Sequence, residues 1–161
     1  MAPGTLFLLP WYVMFRELNL IGTYTALIVT HAVITMPIVI WGLLPFFDNI
    51  PRSVLESAQV DGCSVPRILW RIALPLVMPG LVVSAILSFV FSWNYFLFAL
   101  VLSNGDTKTL IAASFNSIGE GASNWGALMA AATLIALPPL VLAFFVQRRL
   151  VSGLALGAVK G

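Results

Sequence analysis

Long runs without a charged side chain alternate with short polar connections along the chain. The runs cover 18–47, 72–105 and 121–147. Each exceeds the roughly 20 residues that a helix rising about 1.5 Å per residue needs to cross a hydrocarbon core. Spans are predicted over about 24–44, 77–101 and 126–147. Apolar residues inside them follow one another without the alternation of a barrel strand, and lipid obliges backbone groups to bond within the segment. The spans are therefore predicted as helices despite Pro37, Pro79, Pro138 and Pro139. The first 15 residues, "MAPGTLFLLPWYVMF", are charge-free but too short to cross, and they lack the basic start and small-residue cleavage site of a secretory signal. They read as a partial span. The predicted class is all-α: a polytopic membrane helix bundle of three complete spans and one partial N-terminal span.

Composition sharpens this picture. With 60% hydrophobic and 9% charged residues, the 161-residue chain has too little polar surface to clothe a globule in water. Its net charge of +2 comes from residues scattered at the ends of apolar runs, so it offers no basic stripe for nucleic acid. A single cysteine, Cys63, and a single histidine, His31, make neither an internal disulfide nor a zinc site. Without a compositional break, low-complexity segment or repeat, residues 1–161 read as one domain.

The basic residues orient the spans, because they concentrate on the cytoplasmic side. Arg52, Arg67 and Arg71 lie in the 45–76 loop, while Arg148, Arg149 and Lys160 lie in the tail; only Arg16 and Lys108 fall opposite. The loop and the C-terminus are thus predicted to be cytoplasmic, and the 102–125 loop external, with a short interfacial helix at Leu110 to Phe115.

The 45–76 loop has internal structure of its own. Pro51 suits the first turn of a helix and Gly62 a helix C-terminus, which predicts a short helix over about 52–61. Val54, Leu55 and Ala58 make its apolar face, and Glu56 and Asp61 point elsewhere. Ser64 can cap a second helix with Pro66 in its first turn, and Pro75 and Pro79 are expected to redirect the chain into the next span.

The spacing across these helices is specific. Glu56-Ser57-Ala58, three residues, Gly62, nine residues, Ile72, one residue and Leu74-Pro75 resembles the "EAA", three, G, nine, I, one, LP signature of permease subunits of ABC importers. The surrounding "FFDNIPRSVLESAQVDGCS", "FSWNYFLFALVLS", "NWGALMAAATLIALPPLVLAFF" and "QRRLVSGLALGAVKG" are similar to carbohydrate-importer permeases of the maltose-transporter inner-subunit type, so the resemblance covers essentially the whole chain. Two positions depart from the pattern. Ser57 replaces the first alanine, small enough to keep the helix packing, and Tyr95 follows Trp93-Asn94 where an acidic residue is common.

The resemblance implies a division of labour. The short helix would be a coupling helix docking on a cytoplasmic ABC ATPase dimer, with Glu56 pairing to a basic or amide group and Ala58 and Gly62 allowing close approach; Ser57, Asp61, Ile72, Leu74 and Pro75 complete the coupling set. A second permease subunit and an external solute-binding protein would complete an importer in the bacterial plasma membrane. ATP and Mg would be used by the partner, with no cofactor, metal or catalytic residue in this chain. Family members carry further spans before this point, so the chain reads as N-terminally incomplete; a truncated, non-transporting remnant or assembly component is the alternative. Independently of the resemblance, the chain has no G-x-x-x-x-G-K-[ST] phosphate loop and no Asp, Glu, Lys or Arg within its three spans. The work must come from outside.

Ser84, Ser88, Ser92 and Asn94 form a polar stripe in the 77–101 span, which can line a path or join helices. With Trp93 as a surface for stacking on a sugar ring, Ser88, Ser92, Trp93 and Asn94 are the candidate translocation-path residues. His31, beside Thr30 and Thr35, can mark a path or bond a neighbouring helix. Gly126, Ala130, Ala131 and Ala132 suit close helix packing. No paired nucleophile and base, and no HExxH-like arrangement, supports an enzyme.

Overall fold

The computed structural model describes residues 4–119 and 125–157, with side chains described within 5–115 and 125–144. Its regular elements are all helical, with no strand among the described residues. A 3-10 turn, Gly4–Phe7, leads into α1 (Leu8–Glu17); α2 covers Tyr24–Asp48 and α3 Arg52–Val60. Then come α4 (Val65–Ile68), a π-helical turn (Leu69–Ala73), α5 (Leu74–Trp93), α6 (Leu97–Leu102), α7 (Leu110–Gly119) and α8 (Trp125–Gly157). Three stretches are long and apolar enough to cross a membrane: Tyr24–Asp48, Val65–Trp93 and Trp125–Phe144.

The spans depart from their predicted bounds in instructive ways. Pro75 and Pro79 do not redirect the chain, because α4, the π turn and α5 form one continuous helix from Val65 to Trp93. In α register the ring of Pro75 would press on the carbonyl of Arg71, four residues back. The widened turn Leu69–Ala73 lies where that conflict falls, and it absorbs the proline without a break. At the other end the helix stops at Trp93, well short of residue 101, and resumes as α6 only at Leu97. Asn94, whose short amide competes with the backbone for hydrogen bonds, opens the gap. The helix predicted at Leu110 to Phe115 extends to Gly119, and α8 continues through Arg148 and Arg149 to Gly157. Lys160 lies outside the described residues.

Contacts divide the chain into two compact units, residues 1–32 with 93–161, and residues 33–92. In the first, an aromatic chain ties α1 to α6. The Trp11 ring lies 5.9 Å from Phe15 and 5.8 Å from Phe98, and Tyr95 stacks on Phe98 at 5.7 Å. Phe98, Ala99 and Leu102 are fully buried, so the short α6 is a core element of this unit. Thr23 caps α2, its hydroxyl oxygen accepting the Ala26 N–H at 3.3 Å. The Gly22 N–H donates to the Leu102 carbonyl at 2.8 Å, and the Thr107 hydroxyl to the Gly22 carbonyl at 3.2 Å, which fastens the loop after α6 to the turn before α2.

One bond in this unit answers a problem posed by proline. Pro139 has no N–H, so the carbonyl of Ile135, four residues earlier in α8, loses its partner within the helix. The Trp93 indole N–H donates to that carbonyl at 2.9 Å. A side chain at the end of α5 thus satisfies a backbone acceptor that lipid would leave bare.

In the second unit, α2 and α5 meet through small residues. A Cβ on Gly42 of α2 would stand 2.7 Å from the Ser84 hydroxyl of α5, and a Cβ on Gly80 of α5 would run into the Phe46 ring of α2. Each helix gives way where the other projects. Ser84 and Val77 are buried in this unit.

Two outcomes follow for stability, read as the midpoint of thermal loss of the monodisperse protein in detergent. Gly80→Val should destabilise by about 1–3 kcal/mol through overpacking, with Phe46→Ala in the same chain relieving part of the loss. Trp93→Phe should cost about 1–3 kcal/mol by leaving the Ile135 carbonyl unpaired. Pro139→Ala returns an N–H to that carbonyl, so it should shrink the cost of Trp93→Phe; an undiminished cost would remove the bond from the account.

Candidate coupling helix and polar stripe

The residues of α3, the candidate coupling helix, fall into an inward and an outward set. Ala58 is buried, and Leu55 packs, with Leu74, on a core of Ile50, Ala73 and Val77. Arg52, Glu56, Ser57, Gln59, Val60 and Asp61 are exposed. This division follows from the helical repeat, since 55 and 58 stand on one face while 56 and 59 or 60 do not. Pro51 stands at the N-cap, one residue before the predicted first turn.

A Schellman arrangement ends α3. The Gly62 N–H donates to the Gln59 carbonyl at 3.0 Å and the Cys63 N–H to the Ala58 carbonyl at 3.0 Å. Gly62 adopts φ +75°, a backbone state that glycine enters without the Cβ penalty. A Cβ there would meet nothing within 4 Å. Within this chain the glycine is thus required by the turn and not by crowding. Ser64 occupies the N-cap of α4, although its side chain makes no capping bond, and Pro66 lies in the first turn as expected.

Ser57 stands in a different environment from the one expected of it. It is exposed and takes no part in the interior packing; its hydroxyl bonds back to its own helix, 2.9 Å from the Ser53 carbonyl and 3.1 Å from that of Val54. The neighbouring Ala58 does the packing. Ile72 is half-buried in the π turn, Leu74 begins α5 within the shared core, and Pro75 is exposed. The two halves of the motif are therefore brought together through Leu55 and Leu74, with Ile50, Ala73 and Val77 between them. Sequence reasoning singled out Leu55 as part of an apolar face but missed Ile50, Ala73 and Val77. Their signal was available only in part, as apolar residues on either side of the turn at Gly62.

Along α5, Ser84, Ser88 and Ser92 recur every four residues and so share one face. The Ser88 hydroxyl oxygen is buried and has no hydrogen-bond partner among the described residues. An orphaned hydroxyl in a dry setting is costly, and it is the kind of group that awaits a partner from outside. Ser92 is half-buried and Asn94 exposed. Trp93 is half-buried and donates its N–H to the Ile135 carbonyl. Because Pro139 falls four residues after Ile135, a free acceptor in α8 was legible in the sequence; its donor was not.

His31 also makes a bond within its own helix. Its Nδ1 lies 2.7 Å from the Leu27 carbonyl, which can only accept, so Nδ1 carries the proton. The ring stands edge-on to Tyr95, with centroids 6.3 Å apart. Tyr95, at the position where an acidic residue is common in the family resembled, is thus built into an aromatic chain reaching Phe98. Gly126, Ala130 and Ala132 are exposed, and Ala131 is half-buried.

Comparison with known proteins places this geometry. The family described as "Binding-protein-dependent transport system inner membrane component" matches residues 1–155. The diacetylchitobiose uptake system permease protein DasC of Streptomyces coelicolor is 35% identical over 165 residues, covering 100% of this chain and 59% of the relative. The trehalose transport system permease protein SugB of Mycobacterium tuberculosis is 34% identical over 164 residues, covering 100% and 60%. The trehalose/maltose transport system permease protein MalG of Thermococcus litoralis is 34% identical over 149 residues, covering 91% and 53%. The chain spans less than two thirds of the length of these curated relatives. With a family match along nearly its whole length and three apolar helices able to cross a membrane, the chain belongs to the binding-protein-dependent transport system inner membrane components.

Proposed function

We propose that the chain forms part of a permease subunit of an ATP-driven importer of carbohydrates, with α3 as its coupling helix. The observation that carries this reading is the two-sided build of α3. Its inner face is fixed to the foot of α5 by Leu55, while Glu56, Gln59 and Asp61 are left on the outside. The names of the relatives, which are uptake or transport permeases for diacetylchitobiose, trehalose and maltose, support carbohydrate as the substrate class.

The mechanism is mechanical. A cytoplasmic ABC ATPase dimer uses ATP and Mg; its closure moves α3 through Glu56 and the exposed face, and the Leu55 joint passes that motion to α5. Because Val65–Trp93 is a single helix, motion at Leu74 reaches the serine stripe about 15–27 Å away, at about 1.5 Å per residue. The π turn at Leu69–Ala73 lies between α4 and the foot of α5, where a change of register would rotate one against the other. Ser88, with its unpaired hydroxyl, and Ser92 are the path residues of first choice, followed by Asn94; a second permease subunit completes the path and an external solute-binding protein delivers the sugar. Residues 45–76 and the C-terminus face the cytoplasm in this reading, as the placement of Arg52, Arg67, Arg71, Arg148 and Arg149 supports.

Glu56→Lys reverses the charge that meets the ATPase without touching the Leu55 joint. In the complex reconstituted with its partner subunits, it should abolish substrate-stimulated ATP hydrolysis while assembly persists; unchanged stimulation would overturn the coupling role. Leu55→Ala should instead leave the ATPase bound and weaken the dependence of hydrolysis on substrate severalfold. Equal coupling in that variant would show that motion reaches α5 by another route.

A further inference from the structure

Asn104 is the centre of the loop that joins α6 to α7. Its N–H donates to the Thr107 hydroxyl oxygen at 3.1 Å, and its main-chain carbonyl accepts the Thr107 N–H at 3.2 Å. Its side-chain oxygen accepts from the Asp106 N–H at 3.3 Å and from the Thr107 hydroxyl at 3.2 Å. The same hydroxyl reaches the Gly22 carbonyl, so one proton is shared between two acceptors. Two donors in this turn are left over. Neither the Asn104 amide nitrogen nor the Gly105 N–H donates to a protein group among the described residues, whereas the N–H groups of Asn104, Asp106 and Thr107 are all engaged.

These two leftover groups are the nucleophile and the leaving group of one reaction. Covalent geometry alone holds the Gly105 nitrogen close to the Asn104 side-chain carbonyl carbon, and its attack there closes a five-membered ring without any encounter in solution. Glycine hinders that closure least, having no Cβ to crowd it. Nothing else in the fold calls for glycine here: a Cβ on Gly105 would meet nothing within 4 Å, and Gly105 is not among the glycines of positive φ. The charge that develops on the side-chain oxygen falls where the Asp106 N–H and the Thr107 hydroxyl already point, a placement of donors that lowers such a barrier. Asn19 and Asn49 lack this arrangement. The N–H after Asn19 belongs to Leu20 and is bonded to the Phe15 carbonyl at 2.8 Å; the one after Asn49 belongs to Ile50 and is bonded to the Phe47 carbonyl at 3.1 Å.

We propose that Asn104 and Gly105 form a spontaneous modification site, where asparagine is converted to aspartyl and isoaspartyl residues and the loop is thereby unfastened from the turn before α2. The Gly105 nitrogen gives its proton to water and bonds to Cγ of Asn104. The bond from Cγ to Nδ2 breaks, and Nδ2 takes up protons and leaves as ammonia. Water then opens the succinimide at either carbonyl: at Cγ it yields aspartyl, and at the main-chain carbon it yields isoaspartyl, with one more carbon in the main chain. The net exchange is amide and water for carboxylic acid and ammonia, with no oxidant and no cofactor. The lengthened main chain displaces Thr107 from the Gly22 carbonyl, and the new carboxylate competes for the same hydroxyl proton. The site stands or falls apart from the coupling reading.

The test is peptide mass spectrometry on the assembly containing this chain after storage in water enriched in heavy oxygen, which labels each converted residue. Asn104 should convert ahead of Asn19 and Asn49, giving labelled isoaspartyl and aspartyl products. Gly105→Ala, whose methyl enters open space, should slow conversion at Asn104 about tenfold, equivalent to about 1.4 kcal/mol in the barrier. Thr107→Val removes one donor from the developing oxyanion and should slow it severalfold, while Thr107→Ser should keep the wild-type rate. Hydrogen exchange at the Gly22 N–H should rise with the converted fraction. Conversion at Asn104 no faster than at Asn19, or Gly105→Ala converting as fast as the wild type, would overturn the site. So would faster conversion in Thr107→Val, since the hydroxyl would then restrain the asparagine and not assist it. Unchanged exchange at Gly22 after full conversion would overturn the unfastening.

Discussion

The joint between α3 and the foot of α5 is the contact on which the rest of this structure turns. Leu55 and Leu74 meet across Ile50, Ala73 and Val77, and in doing so they give a nine-residue helix a fixed place on a transmembrane helix. A helix that short is marginal in water by itself. Its order comes from three sources visible here: the buried face, the proline before its first turn, and the Schellman closure at Gly62. Fixing the inner face is also what leaves the outer face free, so one packing decision supports both the stability of α3 and its proposed use.

Lipid imposes a second constraint, on the backbone. The described spans hold Pro37, Pro45, Pro79, Pro138 and Pro139 inside helices, and every such residue removes a donor that water cannot replace in the hydrocarbon layer. Two remedies are visible. At Pro75 the helix widens into a π turn, and at Pro139 an indole from another helix supplies the missing bond. Proline in these spans therefore marks places where the helix is adapted and not where it ends. Trp93, a candidate from its neighbours for stacking on a sugar ring, also gives its N–H to α8.

Much of this was legible in the sequence, for identifiable reasons. Charge-free runs located the spans because a charge in hydrocarbon is costly, and Gly62 ended α3 where a positive φ was needed. The spacing of Glu56, Ala58, Gly62 and Leu74 singled them out as candidates, and the split between exposed Glu56 and buried Ala58 follows from helical periodicity alone. Three features were hidden. Nothing in an apolar run says that a proline will be absorbed, so the continuity from Val65 through Pro75 and Pro79 was missed. The break at Asn94 lies within a run of apolar and aromatic residues whose hydropathy continues unchanged to Leu102. Trp93 and Ile135 are 42 positions apart, and only the fold brings a donor to that carbonyl.

Site-directed photo-crosslinking from Gln59 in the assembled transporter tests the central claim most directly. Gln59 is exposed on α3 and outside the Leu55 joint, so a crosslinker there leaves the packing intact. The account predicts capture of the ATPase subunit from Gln59, with a yield that changes between nucleotide-free and ATP-bound states, and no such capture from Val13 of α1. Failure to capture the ATPase from Gln59 in a complex that hydrolyses ATP in response to substrate would contradict it.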